Sequence, residues 1–234
     1  MRGSRYTIIF AAVLSASLAI LLSGIYMALK DRQDENRALE KQMSILSAAQ
    51  VNFSSKKEAK ELFASRVKSL VVDKNGDVLN TVDPSSVGEN SQDKFLLYVI
   101  EGQNDQDSKC YVYPIDGAGL WSRLFGYLAV DETGKKVVGI TFYKQGETPG
   151  LGAEIEKSWF QENFKGKTLF DGDKLKGIKV AKGAAKLDPA YKYQSDQLVD
   201  GISGATITGD GVTSMLLKGA KKYDPFFKKI RAKL

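Results

Sequence analysis

Residues 200–212 read DGISGATITGDGV, with four glycines and three hydroxyl side chains in thirteen positions, directly ahead of an apolar pattern of helical period. Val212, Met215, Leu216, Ala220 and Tyr223 fall on one helical face that would pack against a core. Thr208 and Asp210 are both of the type that caps such a helix. The stretch is therefore a turn that delivers the chain into a helix N-terminus, where unpaired N–H groups and the positive end of the helix dipole attract an anion. Gly201, Gly204 and Gly209 would let the backbone approach that anion closely. A phosphate suits the place. A plain Gly/Ser/Thr loop is the competing reading, and the residues alone do not choose between them.

Upstream, LVVD, KFLLYVIEG, KCYVYPI, LFGYLAV and KKVVGITFY are rich in aliphatic and aromatic residues and read as strands, with turns at KNGD and ETG. ETPGLGAE is a loop leading into AEIEKSWFQENF, a short helix expected to turn Ile155, Trp159 and Phe160 to one side. GIKVAKG offers one more strand before the final turn and helix. SSVGENSQ (85–92) and NDQDS (104–108) read as exposed loops. Hairpin-connected strands with helices in one domain give an α+β fold with a mainly antiparallel sheet.

The N-terminus is of another kind. Thr7–Leu29 is 23 residues without a charge, flanked by Arg2 and Arg5 on one side and Lys30, Asp31 and Arg32 on the other. As a helix it would span a hydrocarbon core, and it exceeds the usual apolar length of a cleaved signal peptide. The organisation expected is a short cytoplasmic N-terminus (1–6), a transmembrane helix (7–29), a helical connecting region (30–66) and a domain from 67 to 234. Within the connecting region, Leu39, Met43 and Leu46 suggest that the first helix continues past the membrane, and Ser54 or Ser55 would cap a second. Four basic residues follow the span and two arginines precede it, so counts leave the orientation open. A long domain translocates largely regardless of charge, which favours the N-terminus inside and the domain outside.

Net charge is +6, with seven basic residues in the last seventeen positions. That mild excess does not argue for nucleic acid. The basic tail reads as a solvated face suiting a helix C-terminus, with lipid headgroups or an acidic partner as the alternative. The chain has no histidine and one cysteine, Cys110. Conventional zinc sites, four-cysteine iron–sulfur clusters and histidine triads are thereby excluded, as is an internal disulfide. Any electron transfer must use an organic cofactor.

The run Asp200-Gly201-Ile202-Ser203-Gly204-Ala205-Thr206 resembles the flavinylation motif of the FMN-binding domain family. That resemblance implies FMN held by a phosphoester on Thr206, transferred from FAD by a separate flavin transferase. It makes Asp200, Gly201, Ser203, Gly204, Ala205 and Thr206 the segment the transferase recognises, with Ser203, Gly204 and Ala205 shaping the phosphate turn. GLWSRLFGYLAV (119–130) and GETPGLGAEI (146–155), in this order, are similar to the C subunits of sodium-translocating NADH:quinone reductases. By that likeness ETPGLG lies against the flavin. Thr148 would offer a hydroxyl, Gly150 and Gly152 close backbone approach, and Leu151 an apolar cover, with an ordinary Pro-Gly turn as the alternative. Glu154 would cap the helix that follows, and Trp121 and Tyr127 are either core or ring partners. No residue is expected to act as a catalytic group or metal ligand.

The resemblance further implies a bacterial cell-membrane complex in which partner subunits oxidise NADH, reduce ubiquinone or another quinone and export sodium, this chain carrying electrons between them on the extracytoplasmic side. Two alternatives stand beside it: the homologous G subunit of the ion-translocating ferredoxin:NAD oxidoreductase, and an anchored structural module without redox work.

Overall fold

A computed structural model of the chain describes residues 3–88, 91–102 and 109–233. The expected loop at 104–108 and the centre of the one at 85–92 lie outside the described residues; within the latter, Pro84–Ser86 is a short 3-10 turn. The chain forms two compact units, Met1–Glu40 and Lys41–Leu234.

The first unit holds helix α1 (Ser4–Ala48) as far as Glu40, its apolar part followed by a charged stretch. Among the described residues this is the one helix long and apolar enough to cross a membrane, with a mean hydropathy of 2.5 over its best window. Ile20 is 74% exposed and Leu22 65%. An outer surface that is apolar all round suits lipid rather than water.

The second unit takes in the end of α1, then α2 (Lys56–Arg66), whose start is a reciprocal cap. The Glu58 N–H donates to the Ser55 hydroxyl at 3.1 Å, and the Ser54 N–H donates to the Glu58 carboxylate at 2.7 Å. Five antiparallel strands follow in the order β1 (Val67–Asp73), β2 (Lys94–Ile100), β3 (Cys110–Ala118), β4 (Arg123–Val130) and β5 (Val137–Lys144), each beside its neighbour in sequence. The expected turns carry the left-handed glycines such turns need, Gly76 after β1 and Gly134 between β4 and β5.

Both faces of the sheet are covered, which is why the strands read as nearly continuous apolar runs rather than as alternating ones. Along β2, Phe95, Leu97 and Val99 join one core while Leu96, Tyr98 and Ile100 join the other. The second core is closed by the end of α1, where Ile45, Ala48 and Ala49 are buried and the Thr141 hydroxyl donates to the Ser44 carbonyl at 3.1 Å. Cys110 lies in this layer, and burial pushes its thiol up to about 11, which leaves it unreactive.

The first core is closed by α5 (Thr206–Arg231). Val212, Met215, Leu216, Ala220 and Tyr223 are all buried, as their spacing predicts. Tyr223 stacks on Tyr113 at 4.4 Å and its hydroxyl donates to the Leu96 carbonyl at 2.6 Å. The helix continues through Pro225. Its basic residues are largely paired: Lys218 with Asp116, Lys228 and Arg231 with Asp224, and Lys229 with Asp77.

Smaller elements lie between β5 and α5. A 3-10 turn (Gly152–Glu156) precedes α3 (Ser158–Glu162), and β6 (Phe170–Asp171) and β7 (Lys174–Leu175) form a hairpin. Then β8 (Lys179–Val180) pairs in parallel with β9 (Leu198–Val199), flanking α4 (Tyr191–Gln194). Two expectations are corrected here. The strand expected over 177–183 is only the two residues of β8. The helix expected over 153–164 is broken at Lys157, whose backbone is extended (φ −78, ψ 142). The break resets the helical phase, so Ile155 and Phe160 are fully buried whereas Trp159 is 47% exposed.

Candidate functional site

From β9 the chain enters the glycine-rich turn, which is held from beneath. The Asp200 carboxylate accepts the Ala185 N–H at 2.7 Å, and the Gly201 N–H donates to the Gly183 carbonyl at 2.7 Å. A Cβ on Gly201 would overlap the Ala181 carbonyl oxygen, so this position admits only glycine without a shift of backbone. Gly204 has φ +75 and turns the chain left-handed, after which the Ala205 N–H closes on the Ile202 carbonyl at 3.1 Å. Thr206 is the first residue of α5.

The capping expectation is corrected. Neither Thr208 nor Asp210 is the N-cap. Ala205 occupies that position, and it provides no side-chain hydrogen bond. Thr208 sits inside the first turn, 1% exposed, and its hydroxyl donates to the Glu147 carboxylate at 2.7 Å. The three hydroxyls of the motif therefore differ: that of Thr208 is buried and engaged, whereas Ser203 and Thr206 are exposed.

Glu147 was not singled out by sequence, yet it organises the site. Its carboxylate accepts the N–H groups of Leu120, Trp121 and Ser122 at 3.0 Å each, besides the Thr208 hydroxyl. Burial alone would raise its pKa; the Thr208 hydroxyl and those three N–H donors outweigh burial and hold the group below its ordinary value. Gly119 and Gly152 give it room, since a Cβ on either would come within 2.6 Å of a Glu147 or Thr208 oxygen. The sequence carries no signal for this arrangement: Gly152 stands five residues after Glu147, but Gly119 lies 28 residues before it, and only the fold brings the three together.

The two motif segments thus converge on the start of α5. Leu151 lies over Gly204, its Cδ2 2.9 Å from where a Cβ would stand, and it is 41% exposed. Thr148 and Gly150 are exposed, Gly150 with φ +75 and no neighbour around its Cβ position, whereas Gly152 is buried beneath the Thr208 hydroxyl. Glu154 stands in the first turn of the 3-10 segment and accepts the Trp159 indole N–H at 3.5 Å. Of the two aromatic candidates, Tyr127 is core, stacked on Tyr143 at 5.1 Å, while Trp121 is 73% exposed. Leu120 and Ile207 are also exposed on the segments that Glu147 ties together. The result is an uncapped helix N-terminus with an outward hydroxyl and a rim of exposed apolar side chains. Among the described residues no cluster of acidic, cysteine or histidine ligands could hold a metal.

Residues 119–221 match the family model described as FMN-binding domain. The chain is 34% identical to the C subunit of the Na(+)-translocating NADH-quinone reductase of Vibrio campbellii, over 93% of this chain and 92% of that one. It is 32% identical to the corresponding C subunit of Yersinia pestis, over 96% and 92% of the two chains. Among solved structures it resembles the C subunit of the Parabacteroides distasonis enzyme, with TM-score 0.73 and 33% identity over 85% of this chain and 96% of that one. Shewanella oneidensis NqrC gives TM-score 0.70 and 27% identity, over 82% and 97%.

Proposed function

The chain belongs to the family of C subunits of Na(+)-translocating NADH-quinone reductases, and from that premise we propose that it is an electron carrier whose FMN is bound to Thr206 through a phosphoester. The observation that carries this reading is the contrast within the motif: Thr206 is exposed as the first residue of α5, while the neighbouring Thr208 hydroxyl is buried against Glu147. A phosphate on Thr206 would meet the first-turn N–H groups of a helix that has no side-chain cap, at the positive end of its dipole. When bound, FMN supplies redox chemistry that a chain without histidine and with one buried thiol does not offer itself.

The remaining residues hold and shape. Gly201 and Gly204 give the turn its path, and Ser203 and Ala205 complete it. Leu151, Trp121, Leu120 and Ile207 would provide apolar surface for the ring, and Thr148 a hydroxyl beside it. Asp200 fixes the turn from beneath through Ala185, so that the segment a transferase must read is presented in one shape. The covalent tie serves retention, since a cofactor on the extracytoplasmic face would otherwise be lost by dissociation.

In this reading α1 anchors the chain in the cell membrane with the domain outside, and partner subunits supply NADH oxidation, quinone reduction and the sodium path. The span from Thr7 to Leu29 has no ionisable side chain except Tyr26 and provides no ion route of its own. In-gel fluorescence tests the proposal. The full chain made together with the flavin transferase, fully denatured and separated by electrophoresis, should show a flavin band at 25.7 kDa. A dark band under those conditions rejects covalent flavin.

A further inference from the structure

Three backbone N–H groups and two hydroxyls, those of Ser122 and Thr208, converge on the buried Glu147 carboxylate. They come from segments far apart in the chain: the turn 119–122 and the first turn of α5. Holding the 119–122 turn closed needs no charge, because the Gly119 N–H already donates to the Ser122 carbonyl at 2.7 Å. What the carboxylate adds is the link to Thr208. A buried carboxylate is costly unless several donors compensate it, and here it is committed to tying that turn to the helix.

The link has a directional consequence. Positions two apart on a helix are turned by about 200° from one another, so drawing Thr208 inward points Thr206 outward. We propose that Glu147 is a positioning residue for covalent loading: by fixing Thr208 and the 119–122 turn together, it aims the Thr206 hydroxyl out of the domain for phosphoester formation. This rests on Thr206 being the attachment residue. In the loading step the bond from Thr206 Oγ1 to phosphorus forms and the pyrophosphate bridge of FAD breaks. AMP leaves with the bridging oxygen and its electron pair, and the hydroxyl proton passes to the transferase or to water. No oxidation state changes.

The test uses the full chain made without the transferase, then mixed in detergent with the purified transferase and FAD. Loading is followed by in-gel fluorescence and folding by thermal unfolding, at a temperature where every variant is folded. Thr208→Val removes the hydroxyl at nearly constant shape, and Glu147→Gln sets an amide NH2 against one of the donors. Each should load at least about tenfold more slowly than the parent, as a misaimed reacting group does. Thr208→Ser, which restores the hydroxyl, should return loading to within about twofold of the parent, because the bond to Glu147 is remade. Parent-like loading by Thr208→Val, with only the melting temperature lowered, overturns the proposal and leaves Glu147 a structural brace. Should Glu147→Gln not fold, the two Thr208 variants decide alone. If the parent chain itself takes up no flavin, the attachment reading fails, and this proposal falls with it.

Discussion

Thr206→Ala, produced with the transferase, should be a folded protein with no fluorescent band, a complete loss of covalent flavin. Thr206 is exposed, so removing its hydroxyl leaves no cavity and no buried polar atom behind. Substitutions of that kind change stability by about 0.5 kcal/mol or less. The thermal transition should therefore stay close to the parent's while the signal vanishes, which separates lost chemistry from lost structure. Ser203→Ala should retain flavin, because Ser203 lies in the turn before the helix begins. A fluorescent Thr206→Ala band would mean that the phosphoester is carried elsewhere.

The second large effect concerns the helix on which the site is built. Tyr223 is fully buried, stacked on Tyr113 at 4.4 Å, and bonded through its hydroxyl to the Leu96 carbonyl at 2.6 Å. Replacing a buried aromatic ring by alanine costs roughly 3–5 kcal/mol through lost contacts and the cavity left behind. For a chain of this size that corresponds to a melting temperature lower by ~10 °C. Tyr223→Phe keeps the ring and loses only the hydrogen bond, and should cost about 1 kcal/mol. Equal melting temperatures for the alanine and phenylalanine variants would show that the Tyr113 stack contributes little, contrary to the packing of α5 on the sheet.

The sheet was legible because its strands are buried on both faces. Runs such as KFLLYVI leave no doubt about burial, and the turn glycines Gly76 and Gly134 mark where the chain reverses. The face of α5 was legible from spacing alone. The start of that helix was not, because Thr208 and Asp210 look like caps only while tertiary partners are ignored. Once a carboxylate 61 residues earlier in the chain claims the Thr208 hydroxyl, the local preference is overridden.

Glu147 escaped for the same reason. An acidic residue in a glycine-rich loop is ordinarily solvated, and nothing in its neighbourhood announces that three N–H groups from another loop will enclose it. Trp159 illustrates a second kind of blindness. Helical spacing put it beside Ile155 and Phe160, but the extended Lys157 between them broke the register, and no residue of the breaking type stands there. The exposed Trp121 shows another case: the sequence left it open between core and ring partner, and the turn tied to Glu147 holds it outside.

The glycine-rich run 200–212 was readable as a turn into a helix, and the chemistry proposed for it came from resemblance rather than from spacing. Its geometry now adds a physical reason for choosing among its hydroxyls, since only one exposed hydroxyl of the run lies on the helix and the buried Thr208 is engaged.

The most direct measurement is tandem mass spectrometry of the peptide that contains Thr206, released from the mature chain after production with its transferase. The account predicts added mass equal to one FMN less one water, with fragment ions assigning it to Thr206. A peptide of unmodified mass, or the same addition found on Ser203, would contradict it.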